Sequence, residues 1–555
     1  MNFGMVVPKY VNKGEPYQFY TGLAIVSACM KQHNYNVFCL NPNHYDGTIT
    51  QQLMNFITNN KIDVICTGGM SGNYNEIRDV LKISKKFKSD IITIVGGTII
   101  TSNPNITLSN MKYIDYGVIG EAEETIIELA NTIINKQDVS SIKGIAYFVS
   151  ETKYIITPDR IPISNLDTIP FPDYEGFEYD KYMKLFYSND NVFFSVIDEE
   201  RRFGNIMSSR SCPFACTFCY HHHLSKYRQR SLDNVFQEID YLVNKYNINI
   251  LGIADDLFSY NKKRMYEFAS RIKKYNIKWY TSLRVSDVDK EVLKTLKDSG
   301  LFGVGYGIES INDNILKSMK KHITKTQIEK ALKLTYEAKI SMLGNIILGD
   351  PEETEETVKK SIDWLIAHPE YSIHLVMIKT YPQAHIYKYA LSKGLIKDEF
   401  KYMVDGFPLV NLTKMSDKKY KEISIYAENF LEEKQHLLNG EIIKSDITSK
   451  TENGKNIFTV NIKCPRCNTI SEYKNRIQSS FLPNCAVICK NCYVRVSVEN
   501  IKLYSHNYSF YDKIISFFVK YARQRVNKNK CIRFAYYIIQ TLKKHKIISI
   551  SNKYV

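Results

Sequence analysis

Ser208–His223 reads SSRSCPFACTFCYHHH, and Cys212, Cys216 and Cys219 stand in it as a C-x3-C-x2-C array with no fourth cysteine nearby. Thiolates hold zinc or iron–sulfur clusters. Structural zinc usually takes four ligands in paired C-x2-C knuckles. Three cysteines at 3-then-2 spacing fit a [4Fe–4S] cubane instead, leaving its fourth iron open to a small molecule. His221, His222 and His223 follow directly. A fourth ligand from them would block the open iron, so they read as loop residues or as proton-transfer groups beside a substrate.

Around this loop the chain alternates strand and helix. FGNIMSS, NINILGIADD, IKWYTSLRV, LFGVGYGIES, SMLGNIILGD and SIHLVMIKTYP are short apolar runs separated by helical patterns such as SLDNVFQEIDYLVNKY. Six βα units fall short of a closed eight-fold barrel, so residues 201–415 are expected to form a partial (β/α)6 barrel. Its site belongs at the strand C-termini, and the cysteine loop follows the first strand. Residues 1–141 carry five further βα units, from NFGMVVP to YIDYGVIG, and predict an α/β domain on a doubly wound five-stranded parallel sheet. Residues 142–200 read as a hairpin and a Pro-rich linker, 416–455 as a helical connector, 456–500 as a small ribbon and 501–555 as a basic helical tail.

The 555 residues exceed one core and suggest two or three domains. No uncharged apolar run approaches the length of a membrane span, and MNFGMVVPKYV lacks the pattern of a signal peptide. A cytoplasmic protein is expected. Twelve cysteines in this length are not a disulfide scaffold; Cys29, Cys39, Cys66 and Cys531 read as buried small hydrophobes. The net charge of +16 is uneven: Ile501–Val555 holds twelve Lys/Arg against one Asp. Its apolar faces, such as Phe510, Ile514, Phe517, Phe518 and Tyr521, pack on the rest of the protein or lie with the lysines on anionic membrane, with nucleic acid as a third reading of the basic charge.

The loop CPFACTFC, with Phe218 before its last cysteine, resembles the radical S-adenosylmethionine (radical SAM) superfamily, in particular its cobalamin-binding branch, whose class B members are methyltransferases. YRQRS (Tyr227–Ser231), ADDLF (Ala254–Phe258), GIES (Gly307–Ser310), LGDPEET (Leu348–Thr354), GEAEET (Gly120–Thr125) and PFPDYEGF are similar to later landmarks of that branch, in order over about residues 1–415. The resemblance implies that Cys212, Cys216 and Cys219 ligate a [4Fe–4S] cluster whose open iron chelates S-adenosylmethionine. One electron, from a donor such as a flavodoxin or ferredoxin, then yields a 5′-deoxyadenosyl radical that abstracts hydrogen from an unactivated position.

It further implies that Asp255 and Asp256 face the methionine ammonium, unless one of them caps the next turn. Arg284 pairs with a carboxylate or the substrate, or else with a structural partner; Glu309 accepts from ribose hydroxyls. Ile347 and Gly349 lie against adenine, although Asn345 replaces a glycine common in the family. In the first domain, Gly68, Gly69, Gly96, Gly97 and Gly120 would let the backbone approach cobalamin or would simply make tight turns, and Glu121 would meet the nucleotide tail. PNHYDG (Pro42–Gly47) keeps the His and Gly of an axial-ligand signature but has Pro42 for its Asp and follows the second strand. His44 thus lacks an orienting partner and reads as an ordinary loop residue, so cobalamin is expected to bind without a protein imidazole.

Cys464, Cys467, Cys489 and Cys492 form CPRC and CKNC knuckles about twenty residues apart, a strong structural-zinc spacing; Cys485 is a bystander. The ribbon is a folding staple or a contact for a substrate or carrier protein. The leading expectation is a cobalamin-dependent radical SAM enzyme that methylates an unreactive carbon or phosphorus of a small-molecule or lipid-linked substrate. The alternatives are a radical rearrangement, cyclisation or oxidation without methyl transfer, and a zinc-ribbon nucleic-acid-binding module with a degenerate barrel. The intact cysteine loop argues against the module, and nucleic acid is not an expected partner.

Overall fold

A computed structural model describes residues 1–15, 17–184, 202–220, 226–432, 436–450, 456–477 and 485–498. The triplet His221–His223, Cys531 and the tail 501–555 lie outside the described residues.

The N-terminal strands are β1 (Asn2–Val6), β2 (Asn36–Leu40), β3 (Val64–Gly68), β4 (Ile92–Gly96), β5 (Tyr116–Val118), β6 (Ile145–Phe148) and β7 (Tyr154–Ile156). They form one sheet in the order β2-β1-β3-β4-β5-β6-β7. β1 to β5 pair parallel and β3 is buried along its whole length, as expected of strands covered on both faces. The covering helices are amphipathic: Tyr74–Phe87 buries Tyr74, Ile77, Val80, Leu81 and Ser84 at helical spacing. The expected hairpin near residue 145 exists, but it belongs to the sheet and not to a linker. β6 pairs antiparallel with β5, and β7 with β6, because Ile145 and Ala146 bury their side chains at an edge that five strands would leave open.

The second sheet is built from β8 (Phe203–Ile206) and, after a short hairpin base of β9 (Ser209–Arg210) and β10 (Arg228–Gln229), from β11 (Ile250–Ile253), β12 (Lys278–Leu283), β13 (Leu301–Glu309), β14 (Ser341–Leu348) and β15 (Ile373–Met377). Its order is β8-β11-β12-β13-β14-β15, every pair parallel, which is the open six-stranded half-barrel the sequence predicts. Trp279, Phe258 and Phe268 meet edge-to-face beneath it.

The expected helical connector over 416–455 is only half correct. A helix runs from Asp417 to Glu432, but β16 (Leu438–Asn439) and β17 (Glu441–Lys450) follow. Beyond Gly440 the β-branched Ile442, Ile443, Ile447 and Thr448 favour an extended chain, and β17 pairs with β18 (Asn456–Lys463), which pairs with β19 (Ile470–Ile477). β20 (Cys485–Ile488) and β21 (Arg495–Val498) complete the ribbon. Ile488 packs with Phe203, Ile250 and Phe302, all at the N-terminal ends of barrel strands. The ribbon therefore caps the barrel base, opposite the cysteine loop. Arg466 fixes it there, stacked 3.5 Å over the Tyr336 ring and donating to the Tyr336 carbonyl at 2.8 Å.

Candidate active site

The cysteine loop hangs from a two-residue antiparallel base in which Ser209 faces Gln229 and Arg210 faces Arg228. Asp255, just beyond β11, fixes its point of departure. The Asp255 carboxylate accepts from the Ser208 N–H and hydroxyl, both at 2.6 Å, and from the Ser209 N–H at 3.0 Å. Burial nevertheless pushes its pKa up. The middle of the loop is tied down by Thr217, whose N–H donates to the Met319 carbonyl and whose carbonyl accepts from the Ile386 N–H.

Cys212, Cys216 and Cys219 line one cavity of about 570 Å³ beyond the strand C-termini. A hydrogen bond from Cys219 holds the Cys216 thiol below its ordinary value, with help from Lys321; Cys219 is raised in return. Burial raises Cys212. Asp256, Arg284, Glu309 and Glu121 share the cavity wall. Glu309 ends β13 at a bulge with φ +65°, a left-handed conformation that is costly for a glutamate. Lys321 Nζ donates to its Oε1 at 2.8 Å. The Arg284 guanidinium lies 3.8 Å over the Phe214 ring and donates to the Lys321 and His322 carbonyls at 2.5 and 3.0 Å.

The structure thus gathers the three cysteines, Asp256, Arg284, Glu309 and Glu121, and leaves the other candidates elsewhere. Asp255 lies behind the loop with both oxygens spent on Ser208 and Ser209. Ile347 packs in an apolar cluster beside β15. Gly349, at φ +111°, donates its N–H to Glu353 at 2.8 Å, and a Cβ there would stand 3.3 Å from the Tyr420 hydroxyl, so its close neighbour is Tyr420. Glu121 does not offer a free carboxylate: it binds Arg228, Arg210 and the Ile163 N–H. Burial would raise its pKa; the two arginines override burial and lower it. Lys321, Arg210, Arg228 and Phe214 also line the cavity. Arg228 stands in YRQRS, but nothing in the sequence distinguishes Lys321 from its neighbour Lys320.

His44 has the partner its motif lacked. Its Nδ1 is 3.1 Å from Glu178 and its Nε2 2.7 Å from the Tyr17 hydroxyl, so it is a buried hydrogen-bonded node and not a plain loop residue. Both ring nitrogens are engaged.

The donor sets fit the groups the sequence implies. Among the described residues, Cys464, Cys467, Cys489 and Cys492 form the one group of three or more potential metal ligands whose donor atoms all lie within 4.8 Å of one another. Cys464–Cys492 and Cys467–Cys489 separations of 3.6 Å are close to the ~3.8 Å edge of a tetrahedron with Zn–S of ~2.3 Å. The loop cysteines are more open around a large cavity, which suits a polynuclear cluster better than a single ion. At the C-terminal edge of the first sheet, a Cβ on Gly97 would lie 2.6 Å from the Gly69 carbonyl, whereas Gly96 and Gly120 face open space. With β2-β1-β3-β4-β5 order, that edge is where doubly wound sheets take ligands.

Residues 206–365 match the family model of the radical SAM superfamily, and residues 11–130 that of the B12 binding domain. An uncharacterized methyltransferase of Pyrococcus horikoshii is 32% identical over 321 residues, 57% of this chain and 67% of the relative. The anaerobic magnesium-protoporphyrin IX monomethyl ester cyclase of Rubrivivax gelatinosus is 29% identical over 326 residues, 56% of each chain. The radical SAM methyltransferase TsrM of Kitasatospora setae, solved with cobalamin and a [4Fe–4S] cluster, shares the fold with a TM-score of 0.59 and 17% identity, over 71% of this chain and 79% of that one. Radical SAM enzymes use small-molecule substrates and an electron donor. With a B12-binding domain fused before the three-cysteine barrel, the chain belongs to the cobalamin-binding, methyltransferase-like branch of the radical SAM superfamily, which works with a [4Fe–4S] cluster, S-adenosylmethionine and cobalamin.

Proposed function

We propose that this enzyme methylates an unactivated carbon or phosphorus atom of a small-molecule or lipid-linked substrate. The observation that carries this reading is the shared cavity: Glu121 of the B12-binding domain and the three loop cysteines of the barrel line one wall. When bound, the cluster supplies the electron that cleaves S-adenosylmethionine, and cobalamin supplies the methyl group. Cys212, Cys216 and Cys219 are the cluster ligands in this reading. Asp256 orients the methionine ammonium, Glu309 accepts from the ribose and is itself held by Lys321. Arg284 shapes the wall over Phe214, its guanidinium being engaged with two carbonyls. Asp255 positions the loop.

A flavodoxin or ferredoxin delivers the electron, and the basic tail brings the site to a lipid-linked substrate at the inner membrane face. Among the described residues no helix is long and apolar enough to cross a membrane. Radical cyclisation without methyl transfer is the second reading, favoured by the similarity to the Rubrivivax cyclase. Anaerobic reconstitution followed by mass spectrometry separates the two. 5′-Deoxyadenosine with S-adenosylhomocysteine is the expected product pair; 5′-deoxyadenosine alone, with hydroxocobalamin supplied, overturns methyl transfer in favour of the second reading.

A further inference from the structure

Arg210 and Arg228 stand directly opposite each other at the base of the cysteine loop, two residues before Cys212 and nine after Cys219. Like charges facing each other on an antiparallel pair repel, and these two side chains are only 18% and 12% exposed. The ladder is two residues long and has little strength of its own. What stands between the guanidinium groups comes from the other domain. Glu121 Oε1 accepts from Arg228 Nη2 at 2.7 Å and lies 3.3 Å from Arg210 Nη1; Oε2 accepts from Arg228 Nη1 at 3.0 Å. Glu123 takes Arg210 Nη2 at 2.5 Å. Both carboxylates follow the Gly120 turn at φ +81°, directly after β5 of the B12-binding sheet.

We propose that Glu121 is a positioning residue that closes the base of the cysteine loop by neutralising the facing Arg210 and Arg228, so that the barrel keeps its cluster only while the B12-binding domain is docked. The inference rests on the reading of the three cysteines as cluster ligands. It gives the two cofactor sites a physical connection: whatever moves the β5 turn moves the base from which the cysteines hang.

The test uses the full chain, anaerobically reconstituted, as wild type, E121Q, E121D, R228Q and E121Q/R228Q. Iron and sulfide per chain and the rate of cluster loss to a ferrous chelator are measured, with zinc content and circular dichroism as controls for folding. E121Q is expected to lose its cluster on the order of tenfold faster than wild type, the scale of removing one member of a largely buried charge network. E121D, which keeps the charge, should stay close to wild type. E121Q/R228Q should be slower than E121Q, because deleting one arginine deletes the repulsion. Wild-type retention in E121Q, or a double variant as labile as E121Q, overturns the proposal. Should E121Q not fold, normal folding of E121Q/R228Q supports the relief of repulsion, and failure of both overturns it. A folded wild type that takes up no cluster overturns the cluster reading itself, and this inference with it.

Discussion

Asp255 and His44 show how a residue's company decides its work. Asp255 stands where a carboxylate could meet an ammonium, yet three donors from Ser208 and Ser209 take both its oxygens. His44 sits in a degenerate axial-ligand motif, yet Glu178 and Tyr17 hold both its nitrogens. His44→Ala should leave the affinity for hydroxocobalamin unchanged while destabilising the first domain by about 2 kcal/mol, since it removes hydrogen bonds to the buried Tyr17 hydroxyl and the partly exposed Glu178 carboxylate. Titration with hydroxocobalamin and urea unfolding check the two halves; a large affinity loss would restore the axial-ligand reading. Glu353 gives a pH signature. Burial raises its pKa to about 7, so the folded chain holds a proton that the unfolded chain releases, and stability falls as pH rises from the ordinary glutamate value of 4.5 through 7. Glu353→Gln keeps an acceptor for the Gly349 N–H and removes that charge. It should stabilise by about 3 kcal/mol at pH 8 and by much less near pH 5. Equal gains in urea unfolding at both pH values would count against this account.

At the scale of elements, the two cysteine clusters are independent. The loop cysteines hang from β9 and β10 above the strand C-termini, while the ribbon knuckles lie under the barrel base. Within the ribbon, Asn468 and Tyr493 take left-handed φ of 57° and 58° directly after Cys467 and Cys492, turning each knuckle so that its sulfurs converge. Replacing Cys212, Cys216 and Cys219 together with Ala should abolish the cluster absorbance and leave zinc and fold intact. Cys489→Ser with Cys492→Ser should release zinc, unseat Ile488 from Phe203, Ile250 and Phe302, and lower the thermal midpoint. Metal analysis and melting of both variants test this; zinc loss from the first, or an unchanged melt in the second, would contradict the separation.

Across the whole molecule, charge and contact are distributed unevenly. Between the first domain and the barrel run the Glu121, Arg210 and Arg228 network, the hydrogen bond from Gln383 to the Ser102 carbonyl at 2.8 Å, and the buried Tyr174–Glu238 hydrogen bond from the connecting segment at 2.7 Å. Most of the +16 net charge lies instead in the tail, outside the described residues. Each Lys or Arg near an anionic surface contributes about 1 kcal/mol, and such attraction weakens as salt shortens the Debye length. The full chain should co-sediment with anionic vesicles more than with neutral ones, salt-sensitively, and a chain ending at Asn500 should not. Equal sedimentation of the two would return the tail to ordinary packing.

The sequence alone determined the six βα repeats, the three-cysteine loop after the first of them and the paired knuckles. Each is local: strand period, turn residues and ligand spacing are written in consecutive residues. Tertiary structure alone decided that β6 and β7 extend the first sheet, that the ribbon caps the base of the barrel, and that Lys321, anonymous within MKKH, faces Glu309. It also decided that Glu121 meets two arginines more than eighty residues away. The reason is physical: a carboxylate's role depends on which donors reach its oxygens within about 3 Å, and those donors are set by the packing of one domain against another.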